Sequence, residues 1–316
     1  MFADFGIDDI AAVIYALYAS EINIIGIVAD YGNVSRENAG KNAEYLKEVS
    51  GRFDIPVIGG AERSLTGEKP VYYPDIHGKA GFGPITPQVK NGAQFFENFY
   101  EITNLIKKYE NNLTIVNIGR LSSLATAYIL YPSILARVKD IFIMGGAFLY
   151  PGNITPSAEA NFYSDPYAAN LVLTCAEHIR ILPLNVTNQA ILLQEQIDYL
   201  DRYYKQKGDP VGQLLKPLID YYYGYYKKII PDIKGGPLHD VLTLWATVNE
   251  EYFSFIERPV KVVAEEGEAR GLSIGDFRPY YKLEKYPMHR IAVGFNYGMF
   301  SESIMNTLMN GKSFKT

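Results

Sequence analysis

The sequence predicts a single α/β domain of Rossmann-like form over residues 1–316, an open and mostly parallel sheet flanked by helices. Three observations predict it. Short apolar runs alternate with longer stretches of helical periodicity, the pattern of helices layered on a sheet. No linker or charge block divides the 316 residues. Polar residues suited to chemistry recur just past the ends of the apolar runs, where the strands of an open parallel sheet converge on one crevice.

The elements follow in order. Only three residues precede Asp4, so the first strand is expected to be abbreviated, or the natural start to lie further upstream. Ile10 to Leu17 is an apolar helix headed by Asp8 and Asp9. Residues 22–29 read as a buried strand ending at Tyr31-Gly32-Asn33, residues 35–49 as a helix, and residues 55–58 as a short strand closed by Gly59-Gly60. Residues 62–90 are rich in Gly and Pro and carry little periodicity, which predicts a long loop with a task of its own. Next come a helix over 92–110, a strand over 113–118, a turn at Gly119 and a helix over 121–130. A strand over 140–144 stops at Gly145-Gly146; the loop 152–161 follows, and Asp165-Pro166 opens a helix to about residue 176. A strand over 179–184, a helical stretch over 193–228 and a helix over 240–249 lead to peripheral strands at 260–263 and 290–293. A helix over 300–309 closes the chain.

Composition excludes several function classes. A net charge of −5 spread without blocks offers no basic face to a phosphate backbone, so no nucleic-acid partner is expected. No apolar run reaches the roughly 18 to 20 residues that span a bilayer, and no signal segment leads the chain, so no membrane role is expected. The single Cys175 forms no internal disulfide, which suits a reducing cytoplasm. Tyrosine is abundant at 26 residues, densest at Tyr221-Tyr222-Tyr223-Gly224-Tyr225-Tyr226.

The chemistry concentrates at the start. Asp4, Asp8 and Asp9 put three carboxylates within six positions at a strand-to-helix junction. Their mutual repulsion needs a cation, hydroxyl donors or a helix N-terminus to offset it, so the segment reads as a metal or ribose site. Far along the chain, Gly236-Pro-Leu-His239-Asp240 again runs straight into a helix-like stretch. Between them lie Gly32-Asn33, Gly119-Arg-Leu-Ser122-Ser123, Met144-Gly-Gly146, Gly152-Asn153 and Glu159-Ala-Asn161. In this order and at these distances the set resembles the inosine-uridine preferring nucleoside hydrolase family, from Asp4 to about Leu308.

That resemblance implies a calcium-dependent ribonucleoside hydrolase with the nucleoside hydrolase fold, acting on small ribonucleosides as a homodimer or homotetramer. It implies that Asp4, Asp9, Asp240 and the main-chain carbonyl of Ser122 hold calcium, an all-oxygen donor set that suits the ion. No His/Cys spacing for zinc accompanies it. Asp4 is then the base that takes a proton from water, and His239 the group that protonates a departing purine. Asp8, Asn33, Asn153, Glu159 and Asn161 match ribose-binding positions, and His77 matches a histidine facing the nucleobase. Tyr222 and Tyr226, four apart and on one helical face, are candidates to stack on the base under a lid formed by residues 231–237, with core packing as the competing reading.

The chain also departs from the family pattern. Phe2 replaces the first motif acid and Phe5 a proline; Arg120-Leu-Ser122-Ser123 stands where Pro-Leu-Thr-Asn is usual; Ala160 replaces a common Phe, and Asn185 an Asp. A degenerate relative that binds a ribosyl compound without turnover, or hydrolyses another riboside, is therefore the second hypothesis. A metal-dependent phosphatase is the third, and Phe5-Gly6 supplies neither the second acid nor the phosphate-binding residue it needs.

Overall fold

The computed structural model describes residues 1–89, 98–280 and 286–314. Among the described residues, nine strands form one sheet: β1 (Phe2–Ala3), β2 (Ile27–Ala29), β3 (Val57–Gly59), β4 (Thr114–Asn117), β5 (Asp140–Met144), β6 (Ile179–Leu182), β7 (Phe253–Val262), β8 (Ser273–Gly275) and β9 (Met288–Phe295). Their order is β3-β2-β1-β4-β5-β6-β9-β7-β8. The pairs from β3 to β9 are all parallel, and β7 pairs antiparallel with both β9 and β8. No described helix is long and apolar enough to cross a membrane.

Strand side chains alternate between two apolar layers, as a sheet covered on both faces requires. Val28, Ile115, Ile141 and Ile143 enter one layer, whereas Ile27, Ala29, Val116, Phe142 and Met144 enter the other. Helix Ile7–Tyr18 is buried along its entire length, an apolar rod in the middle of the second layer, and it packs against helix His239–Ala246, also wholly buried. Trp245 lies in that core.

The chain runs from β1 outward through β2 to β3, then returns to β4 on the other side of β1 and proceeds through β5 to β6. The direction of travel therefore reverses between β1 and β4, and a crevice opens past their carboxyl ends. Asp4 follows β1 and Arg120 follows β4, so both stand at this crevice.

Several elements differ from the sequence expectation. The strand expected over 22–29 shortens to Ile27–Ala29, because β1 offers only Phe2 and Ala3 for pairing beside it. The stretch 193–228 is two helices, Gln194–Lys207 and Leu215–Ile229. Gly208, with φ of 65°, ends the first in the left-handed region, and Pro210 cannot continue it. The loop 152–161 leads into an unexpected short helix, Ala160–Ser164, and the long loop after β3 contains another, Pro74–His77. The N-terminal part of the helix expected over 92–110 falls outside the described residues; the described helix is Glu101–Lys108. The expected peripheral strands lengthen to ten and eight residues, and β9 joins the parallel part of the sheet beside β6.

Candidate active site

The site is built around Asp9, three residues into helix Ile7–Tyr18. Its Oδ1 accepts the backbone N–H of Asp4 at 3.1 Å and its Oδ2 that of Gly6 at 3.0 Å, closing the turn from β1 into the helix. Phe5, between them, has φ of 50°, a strained value for a residue with a side chain, and lies fully buried. Gly6 is required by crowding: a Cβ there would lie 2.5 Å from His77 Nδ1 and 2.6 Å from Asn33 Nδ2.

Asp8 does not cap. Its Oδ1 is buried without a hydrogen-bond partner among the described residues. Asp240, in the first turn of helix His239–Ala246, completes the group, and ligand oxygens of Asp8, Asp9 and Asp240 lie within 4.8 Å of one another. Two helix N-termini thus converge on three buried carboxyl groups. Burial pushes Asp8 up to about 7, with the Asp4 charge adding to the effect, and holds Asp9 and Asp240 well above the ordinary carboxylate range. Hard oxygen donors crowded without enough counter-charge fit a hard divalent cation.

Asp4 lies beside Asp9 and has a partner that the sequence did not indicate. Its carboxylate is buried and paired with the guanidinium of Arg120, Nη1 to Oδ2 at 2.7 Å. Asn33 completes its shell, donating its backbone N–H to Oδ2 and its side-chain amide to Oδ1, both at 2.9 Å. Burial raises the Asp4 carboxyl, and the Arg120 charge opposes that. Arg120 itself is only 1% exposed, and the sequence reading noted it as a departure without giving it a role. Its signal was the substitution of a long cation into a turn directly after a strand. The Ser122 hydroxyl is turned away, donating to Asp165 Oδ2 at 2.6 Å. The Ser122 carbonyl accepts from the Thr126 hydroxyl at 2.8 Å, within the first turn of helix Ser122–Leu130.

The expected ribose residues share one cavity of about 410 Å³, whose wall includes Asp8, Asn33, Asn153, Glu159 and Asn161. Several of them also hold the loops. Glu159 caps helix Ala160–Ser164 and accepts the backbone N–H groups of Gly146, Asn161 and Phe162. Asn161 donates to the carbonyls of Ile118 and Met144 and accepts from Arg120 Nη1 at 3.1 Å. Asn153 accepts from the Ala160 N–H. These bonds fix side chains before any ligand arrives, the condition for preorganised binding.

The opposite wall is aromatic. Tyr222, Tyr226, His77 and His239 all line the cavity, joined by Tyr225 and Ile229, which the sequence reading did not single out. His77 Nδ1 accepts the Ile7 N–H at 3.0 Å, which leaves Nε2 to carry the proton; burial drops this imidazole to about 3. His239 Nδ1 pairs with the Thr187 hydroxyl at 2.8 Å, its Nε2 has no partner among the described residues, and burial drops it to about 4. Tyr222 is both core and wall: it is 1% exposed, and its hydroxyl lies 3.3 Å from that of Tyr226 and 3.5 Å from Asp8 Oδ2.

Residues 1–302 match the family model described as inosine-uridine preferring nucleoside hydrolase. Among relatives, the probable uridine nucleosidase 2 of Arabidopsis thaliana is 33% identical over 97% of this chain and 95% of its own length. The pyrimidine-specific ribonucleoside hydrolase RihA of Klebsiella pneumoniae subsp. pneumoniae is 31% identical over 89% of this chain and 88% of its own. A purine-preferring ribonucleoside hydrolase from Gardnerella vaginalis superposes with a TM-score of 0.88 at 27% identity, covering 98% of this chain and 96% of that one. The plant nucleoside hydrolase PpNRh1 gives 0.90 at 29% identity, with 98% of both chains covered.

Proposed function

Because the chain belongs to the inosine-uridine preferring nucleoside hydrolase family, we propose that it hydrolyses the N-glycosidic bond of ribonucleosides with calcium, giving ribose and free nucleobase. One observation carries this reading: Asp8, Asp9 and Asp240 meet at two helix N-termini, beside Asp4, at the point where the strand order reverses.

Asp9, Asp240, the Ser122 carbonyl and Asp4 are the residues that would hold the ion, with Asp8 at their edge. Bound there, calcium supplies positive charge that orients sugar hydroxyls and favours ionisation of water. Asp4 accepts a proton from the attacking water as its oxygen joins the anomeric carbon; the bond from that carbon to the base nitrogen breaks, and the base leaves with the electron pair and takes up a proton from solvent. The ionised acids and Glu159 provide the negative field that an oxocarbenium-like transition state needs. Asn33, Asn153 and Asn161 hold the sugar, and the tyrosine wall receives the base. His239, held neutral by burial, suits hydrogen bonding to the base better than delivery of a proton from an imidazolium. Relatives named as uridine nucleosidases and pyrimidine-specific hydrolases favour uridine as first substrate. The cytoplasm, as a homodimer or homotetramer, is the setting proposed for it, and the free Cys175 suits a reducing compartment.

The test is base release from uridine, cytidine, inosine and adenosine with calcium present, followed by chromatography. Uridine is expected to turn over fastest. The alternative, a relative that binds a ribosyl compound without turnover, is favoured by the Arg120 guanidinium on the proposed base. It predicts binding of ribose with no base released from any of the four.

A further inference from the structure

A fixed cation stands beside the acids. Arg120 occupies the turn after β4, just ahead of Ser122, and is 1% exposed. Its Nη1 donates to Asp4 Oδ2 at 2.7 Å and to Asn161 Oδ1 at 3.1 Å, and the guanidinium carbon lies 5.9 Å from the centre of the Tyr73 ring. Burial and these contacts hold the side chain in place, so its charge stays when an ion arrives. Asp4 is the acid it pairs with among the described residues.

Asp4 is thereby divided. Its Oδ2 receives the guanidinium and the Asn33 backbone N–H, two donors on one oxygen. Its Oδ1 receives the Asn33 side-chain amide at 2.9 Å, and that amide also lies 3.4 Å from Asp9 Oδ2. Asn33 thus links Asp4 to the acid cluster, and Arg120 ties it to the turn after β4. The acids whose oxygens gather within 4.8 Å of one another are Asp8, Asp9 and Asp240, and Asp4 stands outside that group.

Charge decides the consequence. When Asp4, Asp8, Asp9 and Asp240 are ionised, the guanidinium cancels one of the carboxylates and repels a divalent ion besides. All of these groups are buried, so little solvent screens either effect. A guanidinium so placed works against calcium on the same acids, and calcium works against the Asp4–Arg120 pair by the same factor.

We propose that Arg120 restrains Asp4 to a partial share in the calcium site, so that Asp8, Asp9 and Asp240 carry the ion and hold it more weakly than the same acids would without the guanidinium. Arg120 acts through Asp4 and is a positioning residue. Occupancy of the site, and with it turnover, then follows the calcium supply instead of staying saturated. This inference rests on the calcium site of the proposed hydrolase.

The test is calcium titration by calorimetry on the full chain at one fixed pH, for the wild type, Arg120→Gln, Arg120→Met and Arg120→Lys. Arg120→Gln keeps an N–H for Asp4 and Arg120→Met keeps an apolar stem; both remove the charge. Each is expected to bind calcium about tenfold tighter or more, the order of one fixed unit charge acting on a divalent ion in a partly dry site. Arg120→Lys keeps the charge and is expected to stay within about threefold of the wild type. A merely structural role would weaken binding in the neutral variants, so the direction of the change separates the two. Should Arg120→Met fail to fold, Arg120→Gln carries the same expectation. Unchanged or weaker calcium binding in the neutral variants overturns the inference, as does a gain in Arg120→Lys as large as theirs. Base release from uridine is followed in parallel as calcium is added, and in Arg120→Gln it is expected to reach half its own maximum at about one tenth of the wild-type calcium concentration. No base released by any of these proteins overturns the hydrolase reading and leaves the affinity ratios to decide the inference. Uridine cleaved with no change in calcium affinity among them overturns the inference and leaves the hydrolase reading standing.

Discussion

Asp4 and Asp9 show how one residue type takes opposite burdens in the same turn. Asp9 satisfies two backbone N–H groups, so Asp9→Ala removes acceptors that the fold itself uses. It is expected to lower stability by about 1–3 kcal/mol, read by urea titration of the metal-free protein, besides abolishing calcium binding. Asp240→Asn is expected to abolish calcium binding in calorimetry with a smaller loss of stability, because no side-chain cap bond is seen at the start of its helix among the described residues. Asp4→Asn is expected to lower kcat by about 10² to 10⁴ while ribose still binds. A kcat within a few-fold of wild type would place the base elsewhere. The two tyrosines divide in the same manner. Tyr226→Ala is expected to raise KM for nucleosides with little change in melting temperature, whereas Tyr222→Ala, which empties a core position, is expected to cost about 3 kcal/mol or more. Equal stability losses in both would assign Tyr226 to the core as well.

The loops after β1, β2 and β4 carry the site, and their close approach leaves little room. A Cβ on Gly32 would lie 1.7 Å from Asp4 Oδ2, and one on Gly119 would lie 3.0 Å from the Asp4 backbone nitrogen. Gly32→Ala is accordingly expected to displace the Asp4 carboxylate and lower kcat/KM by about 10² or more, measured beside an unchanged circular dichroism spectrum. Wild-type kinetics from that variant would mean that Asp4 is not held where the structure puts it. Much of this arrangement was legible in the sequence. The strand-to-helix junctions, the order of polar motifs and the acids at two helix starts all follow from local residue type and spacing. What escaped were contacts that only the fold makes. Arg120 meets Asp4 across 116 positions, and His77 caps a helix 70 positions away. The break at Gly208 was hidden because the flanking segments, residues 194–207 and 215–229, share helical periodicity. The length of β7 was hidden because Phe253 to Arg258 contains no buried position, so no apolar face marks it as a strand.

For the molecule as a whole, the acid cluster sets a balance between protons and metal. Burial pushes Asp8 and Asp30 up to about 7 and Asp9 and Asp240 well above their ordinary range, whereas unfolded carboxyls titrate near pH 4. The cation-free native state therefore holds protons that the unfolded chain releases. Its stability is highest below about pH 4 with respect to these groups and falls as pH rises through about 7. Calcium replaces those protons, so the rise in melting temperature on adding calcium is expected to be larger at pH 8 than at pH 5.5. Equal shifts at both values would detach the acids from the metal. The most direct test of the account is the rate of base release from uridine by chelated protein as calcium is restored. The account predicts that activity falls to a few per cent or less in chelator and returns with saturating dependence on calcium. Full activity in excess chelator, or no base released at any calcium concentration, would contradict it.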